Sequence, residues 1–392
     1  MPASTSMPLP ILFVTDSLMA GGIESQLVAL ATGLDRDAYA PRVLSLYGPT
    51  VRDLHFAPAL ERAGIPLDLP DLPLSAAGKA RGVAAITRAA WQTRPRLIQA
   101  EGYHANLLLR LAAPLLPPVP RLGAVRGVLT PKQMRYERLS HWLLSAIAVN
   151  GPHLKEALIR EGGVPAAKIH DIPNGIALER YRRPRDPVLR ARLARGGSRL
   201  FVSLARISLE KNIHWTVEAL GLLKRRGELA AGVRFVVAGA PHHPRAQALL
   251  DAAIARDALA SAVAQYPATS DPAGYYAAAD VVVLFSPATE GTPNVALEAL
   301  AAGRPVIISA AANAARVVEQ GVTGWVVPTG DVEALAETLR RVVALPDAAL
   351  EAMRPACVER AADFAEDRMV RRYAGLYAAL LRRPAEPMVA FF

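Results

Sequence analysis

The sequence lacks cysteine pairs of the kind that cross-link small secreted domains, and it lacks long apolar runs of the kind that span membranes. Its 392 residues include one cysteine, Cys357, so no internal disulfide can form. The first ten residues carry no lysine or arginine and no long apolar run, unlike a secretory signal. The apolar segment 107–120 is interrupted by Arg110 and by prolines, and it is too short to cross a bilayer. These absences predict a soluble, cytoplasmic chain.

Acidic residues are also scarce. Asp and Glu number 35 against 45 Lys and Arg, which gives a formal net charge of +10. A basic surface favours nucleic acid, acidic lipid headgroups or phosphorylated small molecules, and the charge alone leaves these classes open. The chain is 52% hydrophobic and 20% charged, as globular proteins are, and 392 residues exceed what one core usually holds. We therefore expect two domains.

Short strand-like segments alternate with amphipathic helical segments along the chain. In the first half, strands are expected at residues 11–15, 42–46, 97–100, 121–125, 146–149 and 169–172. In the second half, they are expected at residues 200–204, 234–238, 281–285, 305–309 and 324–327. Many are apolar on both faces, as in a parallel sheet covered by helices. The alternation predicts an α/β fold with doubly wound sheets.

The segment 178–198 is rich in Arg, Pro and Gly, and it is interpreted as a solvated crossing between two domains. It lacks the interleaved aromatics of a single-strand nucleic-acid platform. We expect an N-terminal, acceptor-side domain over 1–178 and a C-terminal, donor-binding domain over 179–364. The last helical pattern spans 367–382, and we expect the segment 365–392 to return and pack on the first domain.

The strongest motif spans residues 286–300. A strand ends near Phe285, a loop with Gly291 follows, and a helix begins near Pro293, because proline is favoured in a first helical turn. Such a helix N-terminus favours an anionic ligand at the carboxyl end of the strand. Glu290 in the loop and Glu298 in the helix could each hold a hydroxyl pair, one on a sugar and one on a ribose. A capping Glu and a helix-surface Glu would give the same pattern.

A second motif places two cations in one strand-to-helix loop. Arg206 and Lys211 are separated by five positions, and a helix is expected to open at Asn212. Both could reach one diphosphate, Arg206 as a fork and Lys211 as a point charge. Two solvated surface cations are the alternative interpretation.

A third motif is a glycine pair. Gly21 and Gly22 stand where the first strand runs into a helix, and glycine lets the backbone approach a phosphate closely. The spacing is not that of the dinucleotide fingerprint, which argues against a nicotinamide oxidoreductase.

Taken in order, these strings resemble the retaining GT-B glycosyltransferases of family four. The resemblance covers nearly the whole chain and implies two Rossmann-like doubly wound domains that face a central cleft. It is carried by the Gly21–Gly22 pair, the string 172–176 (Ile-Pro-Asn-Gly-Ile), Arg206 with Lys211, Asp280, the Glu290…Glu298 pair and the string 319–324 (Glu-Gln-Gly-Val-Thr-Gly).

The resemblance implies a role for each matching residue. Arg206 and Lys211 hold the donor diphosphate and offset its charge as it departs. The Gly21–Gly22 turn brings the Gly22 backbone N–H to the same phosphates.

The same resemblance implies that Glu298 binds the ribose hydroxyls and that Glu290 binds the transferred sugar. Arg206, Lys211 and Glu290 are then the expected catalytic residues. The backbone expected beside the sugar belongs to Gly291, Thr292, Pro293 and Asn294.

No cofactor and no metal are expected, since the nucleotide sugar is a substrate and no Asp-x-Asp motif stands at a strand end. Cationic side chains and helix N-termini would stabilise the leaving diphosphate instead. The resemblance implies an oxocarbenium-like transition state. It also implies front-face attack by the acceptor, with the departing phosphate taking the acceptor's proton.

The chain departs from the family at Arg126, where many relatives carry a histidine near the reacting sugar. Arg126 could take another polar role there, contact a charged acceptor, or be a plain surface residue. His104 is expected in a strand-to-helix loop, where a capping or packing histidine is the alternative. Both are acceptor-side candidates.

A basic and apolar segment makes an anionic membrane surface a candidate partner, at the inner face of the plasma membrane. An ordinary solvated helix face is the alternative. The residues concerned are Lys132, Met134, Arg135, Tyr136, Arg138, Trp142 and the segment 107–116.

The function expected is transfer of a sugar from a nucleotide diphosphate sugar to a sugar or lipid-linked acceptor, in synthesis of cell-surface polysaccharide, lipopolysaccharide or glycolipid. UDP is the default nucleotide on family frequency. One alternative keeps the fold but makes the chain a nucleotide-sugar epimerase or a sugar-phosphate glycosyltransferase. Another alternative is a basic protein that binds membrane or nucleic acid and has a non-catalytic donor site. The intact Arg206, Lys211, Glu290 and Glu298 argue against the last, and nucleic acid is not an expected partner.

Overall fold

A computed structural model of the chain describes residues 7–287 and 290–382. The chain forms two compact units. Unit 1 contains the chain up to Gly175 and the chain from Glu366 onward, and unit 2 spans Ile176–Ala365. The division therefore falls after Gly175, where the sequence placed it after residue 178.

Unit 1 is built on a fully parallel sheet with helices on both faces. Its strands are β1 (Leu9–Thr15), β2 (Tyr39–Ser45), β3 (Leu67–Asp68), β4 (Leu97–Glu101), β5 (Arg121–Val125), β6 (Ala146–Val149) and β7 (Ile169–Asp171). Its helices are α1 (Gly22–Gly33), α2 (Ala57–Arg62), α3 (Ala76–Thr93), α4 (Tyr103–Ala112), α5 (Pro131–Ser140), α6 (Pro152–Arg160) and the C-terminal helix (Glu366–Arg382). The strand order is β3-β2-β1-β4-β5-β6-β7, so the sheet grows outward on both sides of its first strand.

The strands of unit 1 are apolar on both faces because helices cover both. Side chains alternate along a strand, so Ile11 and Phe13 enter the core on one face of β1, while Leu12 and Val14 enter the core on the other. The C-terminal helix contributes Tyr377 to the first of these cores, so the helix returns to unit 1 as expected. Residues 383–392 of the predicted returning segment lie outside the described residues.

Unit 2 repeats the same plan. Its strands are β8 (Arg199–Leu204), β9 (Val233–Ala238), β10 (Val263–Tyr266), β11 (Val281–Leu284), β12 (Val306–Ser309) and β13 (Gly324–Val327). Its helices are α7 (Leu178–Tyr181), α8 (Pro187–Ala194), α9 (His214–Arg225), α10 (Pro244–Arg256), α11 (Pro272–Ala278), α12 (Asn294–Ala301), α13 (Val332–Ala344), α14 (Asp347–Ala352) and α15 (Arg354–Ala362). The parallel strand order β10-β9-β8-β11-β12-β13 corresponds to the 3-2-1-4-5-6 order of dinucleotide-binding folds.

The expected α/β fold with two Rossmann-like doubly wound domains is confirmed. Each strand predicted from the sequence is present, with ends that differ by three residues at most. The sequence missed β3 and β10, which are the edge strands on one side of each sheet. An edge strand is short and half exposed, so its sequence lacks the continuous apolar run that marks a central parallel strand.

The interpretation of segment 178–198 as a solvated linker is wrong. It folds into α7 and α8 as part of unit 2, and Tyr181 is buried in the core of that unit. Arg190 Nη2 donates to Asp280 Oδ2 at 2.7 Å, and Arg185 Nη2 donates to Asp280 Oδ1 at 3.2 Å. Asp280, which precedes β11, thus anchors α8 and the segment just before it. Arg185 and Arg190 pair with the fold, while the other arginines of the segment are exposed: Arg180, Arg182, Arg183, Arg192 and Arg195.

A buried ion pair holds the carboxyl edge of unit 1 together. Arg126 donates to Glu101 from Nε at 2.7 Å and from Nη2 at 3.0 Å, and the two side chains are 3% and 0% exposed. Arg126 also donates to Asn174 Oδ1 at 3.0 Å and to Tyr373 Oη, on the C-terminal helix, at 3.2 Å. Burial alone would lower the pKa of Arg126, but the attraction of Glu101 raises it above its ordinary value.

This placement gives Arg126 a structural role inside unit 1. The interpretation of Arg126 as a plain surface residue is wrong, since its guanidinium bonds β4, the end of the β7 loop and the C-terminal helix. Its assignment to the acceptor side stays a prediction.

We expect Arg126→Met to destabilise unit 1 by about 3–5 kcal/mol, because it leaves the Glu101 carboxylate buried without a cation. Urea unfolding of the full chain, followed by circular dichroism, measures the change. Arg135→Met, at an exposed position of α5, is the matched control and should change stability by less than about 0.5 kcal/mol. Adding Glu101→Gln to Arg126→Met should recover part of the loss. An Arg126→Met chain as stable as the parent would contradict the role.

Candidate functional site

The strand order of unit 2 reverses between its neighbouring strands β8 and β11. Loops that leave the carboxyl ends of two such strands diverge to opposite faces of the sheet, and the crevice between them is where doubly wound folds bind ligands. Arg206 and Lys211 lie in the loop after β8, and Glu290 lies in the loop after β11. Two motifs that are distant in sequence therefore meet at one edge.

The structure brings Lys211 and Glu290 into direct contact across this edge. Lys211 Nζ donates to Glu290 Oε1, although the residues are 79 positions apart. The side chains are 21% and 19% exposed, so the pair is accessible to a ligand. Lys211 and Glu290 are thus each other's partners. A ligand could replace each partner, with a phosphate for Lys211 and sugar hydroxyls for Glu290.

Arg206 lies at the same edge with a half-exposed side chain. Its Nη1 lies 3.1 Å from Nε2 of His242, a residue of the loop after β9. Since a guanidinium has donors alone, His242 accepts through Nε2 and carries its proton on Nδ1. Glu210 is another side-chain neighbour of Arg206, with its Oε2 atom 3.8 Å from Arg206 Nη2. His242 is not among the residues predicted from the sequence, where its signal is its position just after a predicted strand.

Buried hydroxyls tie the loops of this edge to one another. Ser286 Oγ donates to the Glu210 carbonyl at 2.7 Å, which joins the loop after β11 to the loop after β8. Ser309 Oγ donates to the Ser286 carbonyl at 2.5 Å, which extends the link to β12. At Gly239 a Cβ atom would lie 1.9 Å from the Ala205 carbonyl, so only glycine allows the loops after β8 and β9 to approach so closely.

The loop that was predicted to line the sugar leads into α12. Gly291, Thr292 and Pro293 are buried, and the helix begins at Asn294, one residue after the predicted start. The positive end of the helix dipole therefore lies at the carboxyl edge of the sheet. Residues 288 and 289 of the same loop lie outside the described residues.

Glu298, in the second turn of α12, is held by tyrosines. Tyr276 Oη donates to Glu298 Oε2 at 2.7 Å, and Tyr181 bonds the same carboxyl group. Burial raises the pKa of Glu298, while the bonds from Tyr276 and Tyr181 and the charge of Arg180 oppose the rise. Neither tyrosine is predicted from the sequence, since neither stands near Glu298 along the chain.

Unit 1 has its own reversal of strand order, between β1 and β4. Gly21 caps α1 and Gly22 is its first residue. A Cβ atom on Gly21 would lie 2.3 Å from Glu24 Oε2, and Ser17 Oγ donates to Glu24 Oε1 at 3.0 Å. The Glu24 carboxylate therefore lies beside the glycine pair. A phosphate that approaches Gly22 would also meet this negative charge.

His104 lies in the first turn of α4, at the same reversal. Its Nδ1 is 2.7 Å from Tyr47 Oη. The carboxylate of Asp16 accepts from the backbone N–H of His104 at 3.2 Å and of Ala105 at 2.6 Å, so Asp16 caps the helix. Burial raises the pKa of Asp16, and these backbone bonds oppose the rise. His104 is thus fixed by a hydroxyl and a capped backbone, and its ring is partly exposed.

Within the described residues, no group of three or more His, Cys, Asp and Glu side chains is placed to hold a metal ion. Metal independence stays a prediction. Over the same residues, no helix is both long enough and apolar enough to cross a bilayer.

The fold and these two edges define a two-unit protein of the GT-B class. Two family models match the chain: residues 20–180 match the model described as Glycosyltransferase Family 4, and residues 198–344 match Glycosyl transferases group 1. The two segments together make up well over half of the chain. The chain belongs to the group 1 glycosyltransferases.

Curated relatives match part of the chain. The amylovoran biosynthesis glycosyltransferase AmsK of Erwinia amylovora is 29% identical over 187 residues, which are 46% of this chain and 43% of that one. The lipopolysaccharide 1,2-N-acetylglucosaminetransferase of Salmonella typhimurium is 30% identical over 175 residues, 42% of this chain and 44% of that one. The matches thus span less than half the length of either relative.

A solved structure matches nearly the whole chain in fold. Anabaena HepE in complex with UDP-glucose has a TM-score of 0.80 and 21% sequence identity, over 95% of this chain and 100% of that one. At this identity the likeness supports the fold alone.

We expect Tyr276→Phe to raise the pKa of Glu298 further, because it removes a hydrogen bond to the charged form. A pH titration of the chain carrying ¹³C-labelled glutamate, with Glu298 assigned through Glu298→Gln, measures the pKa by NMR. Tyr275→Phe, which makes the same change one residue away, is the control. An unchanged Glu298 titration in Tyr276→Phe, or an equal change in Tyr275→Phe, would contradict the assignment.

Proposed function

We propose that the chain is a retaining, metal-independent glycosyltransferase that moves a sugar from a nucleotide diphosphate sugar to an acceptor hydroxyl. The observation that carries the proposal is the Lys211–Glu290 pair at the reversal of strand order in unit 2. It stands in a chain of the group 1 glycosyltransferase family, at the edge where doubly wound folds bind ligands.

Donor binding exchanges partners within this pair. The diphosphate binds Lys211 and Arg206, and hydroxyls of the transferred sugar hydrogen-bond to Glu290. Each charge then stays partnered while the ligand enters, which avoids leaving a half-buried ion alone. The dipole of α12 adds positive potential at the same edge, where negative charge grows on the leaving group.

The ribose is assigned to Glu298, whose carboxyl group is oriented by Tyr276. An ionised Glu298 accepts two ribose hydroxyls, so the tyrosine bonds that oppose the rise of its pKa also favour donor binding. We also propose that the Gly22 backbone N–H binds phosphate, which requires the Glu24 carboxylate beside it to move away.

In the transfer, the bond between the anomeric carbon and the leaving phosphate oxygen breaks as the acceptor oxygen bonds to the same face of that carbon. The electron pair of the broken bond stays on the phosphate oxygen, and the acceptor's proton moves to the departing diphosphate. The products are the glycoside and the nucleoside diphosphate. Arg206 and Lys211 stabilise the charge that develops on the diphosphate.

UDP is the nucleotide we propose, which is consistent with the UDP-glucose complex of the HepE structure. The acceptors we propose are sugars or lipid-linked sugars of cell-surface polysaccharide or lipopolysaccharide. The names of the relatives from Erwinia and Salmonella support this class of product.

We expect Lys211→Ala and Glu290→Ala each to lower transfer at least about 100-fold while the fold persists. Lys211→Ala removes a charge that stabilises the leaving diphosphate, and Glu290→Ala removes the group that positions the transferred sugar. Turnover is measured with the sugar conjugates of UDP, GDP and ADP, without added metal. The melting temperature of the parent chain, measured with each nucleotide sugar and with NAD, first identifies the base that binds.

Lys155→Ala, in unit 1, is the control for loss of a lysine. The site assignment is falsified if either variant turns over normally. A thermal shift with NAD alone would overturn the proposed donor, and so would the absence of a shift with every nucleotide sugar.

We further propose that unit 1 associates peripherally with anionic membranes. Between residues 72 and 155 the acidic residues are Glu101 and Glu137, and both are buried in ion pairs, with Arg126 and Arg110. The exposed surface of this segment therefore carries cations without carboxylates. The exposed cations are Lys79, Arg81, Arg88, Arg94, Arg96, Lys132, Arg135 and Arg138.

Exposed apolar side chains accompany these cations. Trp91 is 58% exposed, and its Nε1 donates to the Leu115 carbonyl at 2.9 Å, beside the exposed Leu115 side chain. Leu139 in α5 and Trp142 just after that helix are similarly exposed. Tryptophan suits the interface of a bilayer, where one end of the ring is apolar and the other polar. Of the predicted set, Met134 is buried and faces the core instead.

Binding to vesicles tests this surface. We expect the chain to bind vesicles that contain anionic lipid and to release as salt rises, with little binding to neutral vesicles. Arg135→Gln with Arg138→Gln should weaken binding about 30-fold, at about 1 kcal/mol for each cation. Arg340→Gln with Arg341→Gln, on unit 2, is the matched control. Equal losses in both pairs, or no binding at low salt, would contradict the proposal.

A further inference from the structure

A second basic cavity lies in unit 2, at the edge of the sheet opposite to the proposed donor site. Its volume is about 570 Å³, and it is formed where β8, β9 and β10 begin rather than where they end. Three cations line it: Arg195, Lys224 and Arg234. Among the described residues that line it there is no aspartate and no glutamate.

Arg234 is the buried member of this set, with 5% of its surface exposed. Its Nη1 donates to the Ser261 carbonyl, but Nε and Nη2 have no hydrogen-bond partner among the described residues. Burying guanidinium donors without an acceptor costs free energy, so native structures nearly always supply a partner, whether protein, water or ion. The fold of unit 2 leaves this requirement unmet.

Among the residues that the structure describes, no carboxylate pairs with Arg234. Burial, and then the positive charge of Arg195, lower the pKa of Arg234, while the nearby Tyr266 opposes this change. The carboxyl ends of α8, α9 and α10 lie at this edge and offset part of the charge through carbonyl groups. Lys224 uses such a group, since its Nζ donates to the Ala258 carbonyl at 2.7 Å.

The backbone around the cations is open. Gly227 and Gly232, which line the cavity, have φ of 72° and 81° and place no side chain over it. A compact anion can therefore approach the backbone as well as the guanidinium groups. The geometry suits a tetrahedral dianion, which can accept from several N–H donors at once.

We propose that this cavity is a binding site for a small phosphate-bearing anion, recognised by Arg234 from within and by Arg195 and Lys224 from its rim. The site is separate from the proposed donor edge, because it lies at the opposite ends of the same strands. The proposal stands whether or not the chain transfers sugars.

The test uses the full chain with Lys211→Ala, so that phosphate binding at the donor edge is weakened. The melting temperature is followed as sodium phosphate replaces sodium chloride at constant ionic strength, and again with glycerol 3-phosphate. A ligand that binds the folded state raises the melting temperature along a saturating curve. Saturation with inorganic phosphate identifies the free ion as sufficient, and saturation with glycerol 3-phosphate alone identifies a phosphate ester as the ligand.

Two variants locate the effect. Arg195→Gln should weaken the apparent affinity at least tenfold, and it changes an exposed side chain, so the fold should persist. Arg234→Met should remove the effect, with its fold checked by circular dichroism. Arg341→Gln, an exposed arginine outside the cavity, is the matched control. The proposal is overturned by a shift that does not saturate, or by one that Arg195→Gln and Arg341→Gln reduce equally.

Discussion

Each unit depends on one constraint: a parallel sheet that grows outward from its first strand must reverse its direction of growth beside that strand. The reversal falls between β1 and β4 in unit 1 and between β8 and β11 in unit 2. Because the crossover helices on the two sides of a reversal cover opposite faces, the loops that leave these strands separate and open an edge to a ligand. This is why Lys211 and Glu290, which are 79 positions apart, form a pair. It is also why Asp16, Tyr47 and His104 gather in unit 1.

Two kinds of ion pair in the chain differ in setting: buried pairs that join elements of the scaffold and a partly exposed pair at the candidate site. Glu101, Glu137 and Asp280 are buried with arginines and join elements of the scaffold. Removing one partner of such a pair strands a charge in the core, so these pairs are fixed. The Lys211–Glu290 pair differs because it is partly exposed and lies on loops at a strand-order reversal. An ion pair in that setting can be opened by a ligand that offers each charge a new partner. Exposure and topology, rather than residue type, separate the candidate site from the scaffold.

The sequence predicted the central strands well because a strand buried on both faces must be apolar throughout. The edge strands β3 and β10 carry no such requirement, and they were missed. Motif spacing predicted Arg206, Lys211, Glu290 and Glu298 as candidates, but not the side chains that contact them. Tyr276 and His242 reach the site from separate elements, and a single sequence holds no signal for contacts of that kind. Arg126 shows the reverse case: a motif position drew attention to it, and only three-dimensional packing shows that it bonds Glu101 in the core.

The exchange proposed for the Lys211–Glu290 pair has a consequence for donor recognition. A nucleotide diphosphate without its sugar would draw Lys211 to the phosphate and leave Glu290 without its cation. A free sugar would meet Glu290 but leave Lys211 with nothing in return. Only the intact donor offers a partner to both charges, and a half-buried charge without a partner is costly. Recognition of the phosphate and of the sugar is therefore coupled through one ion pair. On this account, the contact between Lys211 and Glu290 also discriminates against fragments of the donor.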